Sequence, residues 1–421
     1  MNEQNVANEY DVIIVGSGTC GATIARELCK QNKKVLILER GGDLPLKESL
    51  SNFMSIADMV SVGKKLSIVR GIAAGGSSSI YFAVADIPPL DEFRKLGIDL
   101  TKDLESTKKE LPIIELPDEY ISSSSLKLRD SANELGFNWK KKSMFIDQSL
   151  CKSGYTYESK WKVKSYLKDA IEHGAKLETH AMVKKVLFKD KQAIGVEYQN
   201  KSKKLVQVYG TKIVVSAGSS ATPIILRDSG VRNIENHGFF IDPNCALFGF
   251  VPGLNGSDNY FGCMSTDYED GTLLGDGNTI KSLFKMLMLV NLKFSRLFSF
   301  SNSIGIGVKV KDNLSGELLK NGKYFKQLTK EDYARLKKGE EQAMKILKNA
   351  GAKHIFSAGY GATDLGGTLE IGKHVDKNLQ TEYNNLYVCD GSLIPENVRV
   401  SPTLTLICLG KYLANNLFPA S

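Results

Sequence analysis

The chain has 421 residues, 42% of them hydrophobic, enough to bury a large core and to divide into more than one domain. Its 55 Lys and Arg against 47 Asp and Glu give a net charge of +8, but the lysines are spread along the whole length, which speaks against nucleic-acid binding. The seven cysteines (Cys20, Cys29, Cys151, Cys245, Cys263, Cys389 and Cys408) are odd in number, far apart and without a CxxC pair. This argues against a disulfide framework and against a zinc or iron–sulfur centre; no metal is expected, and a reducing cytoplasm fits best.

The first ten residues, MNEQNVANEY, are polar and lack the apolar core of a signal peptide. A strand-like run, Val12 to Val15, then enters the loop GSGTCG (Gly16 to Gly21). A helix-like ATIARELCK follows, and VLILERGG carries an acid, Glu39, eighteen residues after Gly21. This pattern predicts a βαβ unit built to hold a dinucleotide. Gly16 permits the tight turn, Gly18 lets the backbone approach a pyrophosphate, Gly21 lets helix and strand pack closely, and Glu39 can accept hydrogen bonds from ribose hydroxyls. On this unit alone, FAD and NAD(P) both remain open.

A second glycine and serine loop lies in VRGIAAGGSSSIYF (Val69 to Phe82), and PPLDEF after it reads as a turn out of the first domain. Residues near 91 to 150 are helical in pattern. From Val163 the chain reads as a helix, two strands and a turn. The strand TKIVVSAG (Thr211 to Gly218) comes next, ending in small residues that let backbone pass close to a nucleotide. Between about 240 and 350, FGFVPG, IGIGVKVK and NGKYFKQL are strand and hairpin candidates, and DYARLKKGEEQAMKILKNAG is a helix, together reading as a separate substrate domain. Within it, Lys281, Lys285, Lys293 and Arg296 interrupt the apolar run from Ile280 to Phe300, so no transmembrane span is expected. That stretch fits a segment lying on a membrane surface, the wall of a substrate pocket, or a buried helix. LYVCDGSLIP and SPTLTLICLGKYLANNL return to nucleotide-domain character, with a final helix starting near Pro402 whose N-terminus would face an anion.

With these pieces in order, the chain resembles the glucose–methanol–choline (GMC) oxidoreductases, FAD enzymes that mostly oxidise alcohols. The N-terminal unit, the GGSSS loop, GSSATPIILRDSGV (Gly218 to Val231), DGSLIP and SPTLT carry the resemblance, with a departure at Arg232, where the family has glycine. It implies an α/β fold: an FAD-binding Rossmann-like nucleotide domain in three parts (1–90, 160–240, 355–421) and a discontinuous α+β substrate domain in two (91–159, 241–354). It further implies that Gly16, Ser17, Gly18, Thr19, Cys20 and Gly21 surround the pyrophosphate and that Glu39, followed by Arg40, meets the adenosine ribose. Arg70, Gly71, Gly75, Gly76, Ser77 and Ser78 would line the pyrophosphate and flavin. Val183 would meet the adenine through its backbone, Ala217 and Gly218 would pass close by, and Asp390 and Gly391 would bind the ribityl chain. Pro402 and Thr403 would begin a helix aimed at the flavin, whose anionic reduced form a helix N-terminus stabilises. No histidine stands near the GGSSS loop, so the FAD is expected to be non-covalent.

The family's active site normally carries a histidine in an HPxG-type motif and a histidine or asparagine before the closing proline. Here DLGGTLEIG puts Asp364 at the first position, with Leu365 after it, and Ser401 at the second. An aspartate's reference pKa of about 3.9 is far below histidine's of about 6.5, so Asp364 would serve as a base only if burial raised it. As a plain structural residue it would cap the turn before Gly366 and Gly367, and Ser401 would be the N-cap of the final helix. Three functions follow. The first is an alcohol dehydrogenation in which Asp364 takes the hydroxyl proton, the carbon gives hydride to flavin N5 and Ser401 orients the oxygen. The second is chemistry at a C–C bond of an apolar, lipid-like substrate with residues 280–300 as pocket wall, and the third a flavin-binding protein without catalysis. The electron acceptor stays open, and peripheral membrane contact through 280–300 is the expectation attached to the cytoplasmic assignment.

Overall fold

The computed structural model describes residues 9–45, 47, 49–151, 156–234, 237–256, 263–267, 270–277, 281–395 and 401–418; the N-terminal stretch through residue 8 and Ile280 lie outside them. Strand Tyr10–Val15 is central in a seven-stranded sheet, parallel to Val35–Leu38 on one side and to Leu205–Val215 on the other, with Val15 level with Leu38 and Val215. Lys176–Glu178 extends the parallel part at one edge, and Leu386–Val388 pairs in parallel with the end of Leu205–Val215. VIIV, VLIL and IVV are buried throughout, as uninterrupted apolar runs must be when helices cover both faces. Leu205–Val215 does double duty: its first half turns outward into an antiparallel meander with Gln192–Gln199 and Met182–Lys189.

Helix Thr19–Lys30 makes the crossover, burying Ile24, Ala25 and Leu28. The final helix, Thr403–Leu417, packs across it so closely that a Cβ on Gly410 would stand 3.0 Å from the Thr23 Cβ. Helix Thr101–Glu110 joins this layer through Lys411, whose ammonium lies 2.8 Å from the Glu110 carboxylate.

A second sheet of six antiparallel strands runs in the order Lys353–Ala362, Pro243–Phe250, Ser303–Val310, Thr272–Asp276, Met264–Asp267 and Lys140–Lys141. Helix Lys330–Asn349 covers it. Its start is fixed by a capping box between Thr329 and Asp332, and Gly339 gives it room, since a Cβ there would meet the Val308 Cγ1 at 2.4 Å.

Three sequence expectations shift. The division at 354/355 cuts strand Lys353–Ala362, whose pairing with Pro243–Phe250 keeps it in the substrate sheet, so the boundary moves past Ala362. PPLDEF is no simple turn: Pro89 is the N-cap of a short helix, Leu90–Lys95, a place where proline lacks nothing it needs. Residues 91 to 150 are not all helical either, because Ile113–Glu115 and Ser143–Phe145 pair as antiparallel strands.

Candidate active site

A cavity of about 890 Å³ opens where the parallel strands end, its wall including Val15, Leu38, Ser216 and Asp390. This is the crevice beyond the carboxyl ends of the strands, where open α/β sheets bind ligands, and its size lies toward the upper end of the ~300–1,000 Å³ typical of ligand sites. Of the residues expected to hold the cofactor, Gly16, Gly18, Thr19, Cys20, Glu39, Arg40, Arg70, Gly71, Gly76, Ser77, Val183, Ala217, Gly218, Asp390, Gly391 and Pro402 line it.

Ser17, Gly21, Gly75, Ser78 and Thr403 stand behind that wall. The Ser17 N–H and hydroxyl both donate to Glu39 Oε2, at 3.1 and 2.6 Å, and the Gly41 N–H donates to Oε1 at 2.7 Å. Glu39 therefore ties the first glycine loop to the strand that carries it. A Cβ on Gly21 would collide with the Gly16 oxygen at 2.0 Å, so Gly21 serves helix-to-loop packing. The Gly75 N–H donates to the Ser17 hydroxyl at 3.3 Å. The Ser78 hydroxyl donates to the Gly75 carbonyl at 2.8 Å and accepts the Val163 N–H at 3.2 Å. Thr403 is buried as the first residue of the last helix.

The two glycine loops touch: Gly76 has φ +58°, and a Cβ on it would sit 2.9 Å from the Gly18 Cα, whereas a Cβ on Gly18 would meet no neighbouring atom. The backbone of Gly18 is thus bare toward the cavity at the start of helix Thr19–Lys30, which is what a pyrophosphate requires. Arg70 reaches from the hairpin Ala57–Gly63/Leu66–Gly71, held by Asp58 at 2.7 Å and donating to the Ser220 hydroxyl at 2.6 Å; Asp58 also takes Arg40 at 3.2 Å. Asp390 is buried and accepts from the Gly218 N–H (2.9 Å), the Thr222 hydroxyl and the Ser392 N–H (2.9 Å), while burial raises its carboxyl above the ordinary range. Behind the wall, the buried hydroxyls of Ser79, Ser392 and, in the final helix, Thr405 have no hydrogen-bond partner within the described structure. The bare glycine cradle and the arginines suit FAD.

At the far end of the cavity stand Asp242, Thr363 and Asp364, beside the apolar Phe240, Leu365, Ile394 and Leu406. Lys309, on strand Ser303–Val310, places its ammonium 2.8 Å from Asp242 Oδ2 and 3.2 Å from Asp364 Oδ2. Sequence reasoning found Asp364 but missed Asp242 and Lys309, which no motif marks. Burial pushes the Asp242 carboxyl up to about 6, Lys309 pulling it down and Asp364 pushing it up. Burial of Lys309 opposes its charge, yet the two carboxylates outweigh this and raise the ammonium above its ordinary value. Asp242 sits at φ +46°, a left-handed conformation that aspartate tolerates better than most residues. Asp312 fixes that turn by accepting the Ile241 and Asp242 N–H groups at 3.1 and 3.0 Å, and Asp312 is itself clamped by the buried Lys326 at 2.5 Å.

Asp364 thus points at Lys309, and the turn-capping alternative finds no hydrogen bond among the described residues. Ser401 does not line the cavity; its N–H donates to Asp86 at 2.9 Å, and the N-cap position of the final helix belongs to Pro402. Nor does any described residue from 281 to 300 line it, which overturns the pocket-wall reading of that stretch. The same holds for the five histidines: His237 and His374 pack edge to face at 5.1 Å, and burial lowers the pKa of both.

Comparison with known proteins bears on the fold and the family. A family model described as GMC oxidoreductase matches residues 10–244. The chain is 28% identical to an uncharacterized protein of Methanocaldococcus jannaschii over 96% of this chain and 98% of that one. It is 23% identical to a long-chain-alcohol oxidase of Arabidopsis thaliana over 97% of this chain and 68% of that protein. Among solved structures, pyridoxine 4-oxidase from Mesorbium loti superposes with a TM-score of 0.74 at 16% identity, covering 97% of this chain and 99% of the other.

Proposed function

Because the chain belongs to the GMC oxidoreductase family, FAD-dependent oxidoreductases that act on alcohols, we propose that it oxidises the CH–OH group of an alcohol, with the Asp242–Lys309–Asp364 cluster handling the hydroxyl proton. The observation that carries this reading is the pair of carboxylates in the cavity wall, bridged from behind by the Lys309 ammonium, where the family's histidine is missing. FAD, when bound, supplies the hydride acceptor at flavin N5.

The carboxylate pair receives the hydroxyl proton as the C–H bond breaks: Asp364, the more exposed, meets the hydroxyl, and Asp242, pushed up to about 6 by burial, gives the pair its affinity for a proton. Lys309 takes the orienting role expected of Ser401: from behind the wall it fixes Asp364 against the hydroxyl. Asp242, more deeply buried in the same wall, balances the ammonium. Phe240, Leu365, Ile394 and Leu406 exclude water and receive the carbon skeleton, which favours an alcohol with an apolar part. In this reading the FAD is non-covalent, so acid precipitation should release all of the flavin into the supernatant.

The test is anaerobic mixing of FAD-loaded protein with a panel of polar and lipophilic alcohols, following loss of the oxidised flavin's visible absorbance. Bleaching that disappears in Asp364→Ala supports the proposal, and bleaching that persists undiminished in that variant sinks the role of Asp364. Failure of every alcohol, with FAD bound, would turn the search to C–C chemistry, which has lost residues 281–300 as its pocket wall.

A further inference from the structure

We propose that the segment from Lys281 to Phe300 docks the protein on an anionic lipid surface. One face of it is fastened to the substrate sheet: Phe284, Met288 and Phe300 are buried and form a small separate cluster with Phe250. The opposite face is bare. Leu289, Val290, Leu292, Phe294 and Phe298 are 48, 74, 73, 59 and 87% exposed, five large apolar side chains within ten residues. Single exposed leucines are ordinary on a protein surface, but a contiguous run of this kind marks an interaction site.

Charge chooses the occupant. No Asp or Glu occurs between Asp276 and Asp312, whereas Lys281, Lys285, Lys293 and Arg296 punctuate the apolar run. The cations lie among aromatic rings: the Lys285 ammonium is 5.3 Å from the Phe298 ring, and the Arg296 guanidinium 5.1 Å from the Phe250 ring. An element that offers apolar tips with cations beside them matches the boundary where acyl chains meet anionic headgroups, with the long basic side chains reaching the phosphates. Ordinary core is excluded by the exposure and a pocket wall by the cavity lining. No described helix is long and apolar enough to cross a membrane, so the contact is one of lying on the surface. The patch sits at the end of strand Pro243–Phe250 remote from Asp242, which leaves the cavity's reactive end clear of the lipid.

The FAD-loaded full chain is sedimented with vesicles of phosphatidylcholine alone and of phosphatidylcholine with phosphatidylglycerol. Binding is expected to the anionic vesicles, weakening with salt. Leu292→Ser with Phe298→Ser should weaken it by about ten-fold or more. Lys281→Gln and Lys285→Gln should each cost about five-fold. FAD absorbance and thermal midpoint should stay unchanged in all three variants, since the altered side chains lie outside the cavity. Failure to bind anionic vesicles, equal binding to both kinds, or no loss in the variants would overturn the proposal. So would a dimer in sedimentation velocity that the Leu292 and Phe298 changes abolish, which would give the face to a second copy of the chain.

Discussion

Lys309 lies between two carboxylates, so no charge of the three can be altered alone. Asp364→Ala is expected to lower the rate of flavin reduction by an alcohol by about 10²-fold or more, the usual scale for a positioned base, while FAD stays bound; stopped-flow absorbance checks both. Asp242 adds a pH dependence. Its carboxyl, pushed up to about 6 by burial, titrates above the ~3.9 of an unfolded chain, so the native state holds the proton longer. The stability this contributes is complete below about pH 4 and is lost as pH rises through about 6. Over the same window Asp242 gives up its proton and can accept one from the substrate, so kcat/KM should climb with pH through about 6. In Asp242→Asn that limb should move or vanish, and the fall in thermal midpoint from pH 4 to 6 should flatten. Only part of this site could be read from the sequence. Asp364 was found because it occupies a motif position, whereas Lys309 is an alternate residue of a strand, where a lysine ordinarily points to solvent, and Asp242 stands in an unremarkable turn. Pairing of Asn244 with Lys309 across two strands brings the three together, and that register is not written in any one segment.

At the scale of elements, the turn carrying Asp242 is held from beneath by the buried Asp312–Lys326 pair, in which the side chains are 0% and 1% exposed. Lys326→Met leaves the Asp312 carboxylate buried without its ammonium and should cost about 3–5 kcal/mol in urea unfolding. Helix Lys330–Asn349 lies so near its sheet that Gly339→Ala should cost about 1–3 kcal/mol, read as a fall in thermal midpoint. The helix was legible because its capping box and apolar stripe are local. The hairpin Ala57–Gly63/Leu66–Gly71 was not, although Met59, Val60, Ser61 and Ile68 form cavity wall. Its alternation is blurred because both of its faces are only partly covered, and Met59 is 70% exposed.

For the whole molecule, the nucleotide fold was legible at its two ends, where glycine loops and apolar strands carry their own signals. The substrate domain was legible as strands and helices but not as one sheet, since its six strands come from segments as distant as Lys140 and Ala362. The cavity lies between these parts and draws its wall from both, so FAD should fasten them together. Removing FAD should lower the thermal midpoint. Restoring it at about a thousand times its Kd should return about 4 kcal/mol, measurable by calorimetry on apo and reloaded protein.

Strand Leu386–Val388 joins the sheet beside Leu205–Val215, and Asp390 just after it receives the Gly218 N–H. On the ribosome this means that the first strand, helix and glycine loop are made long before the segment that completes their crevice. The growing chain must keep the edge of Leu205–Val215 unpaired while some 170 further residues are added, and such an edge is open to wrong partners. Capture of the cofactor then waits until Leu386–Gly391 has been made, and any protection of that waiting edge favours correct pairing.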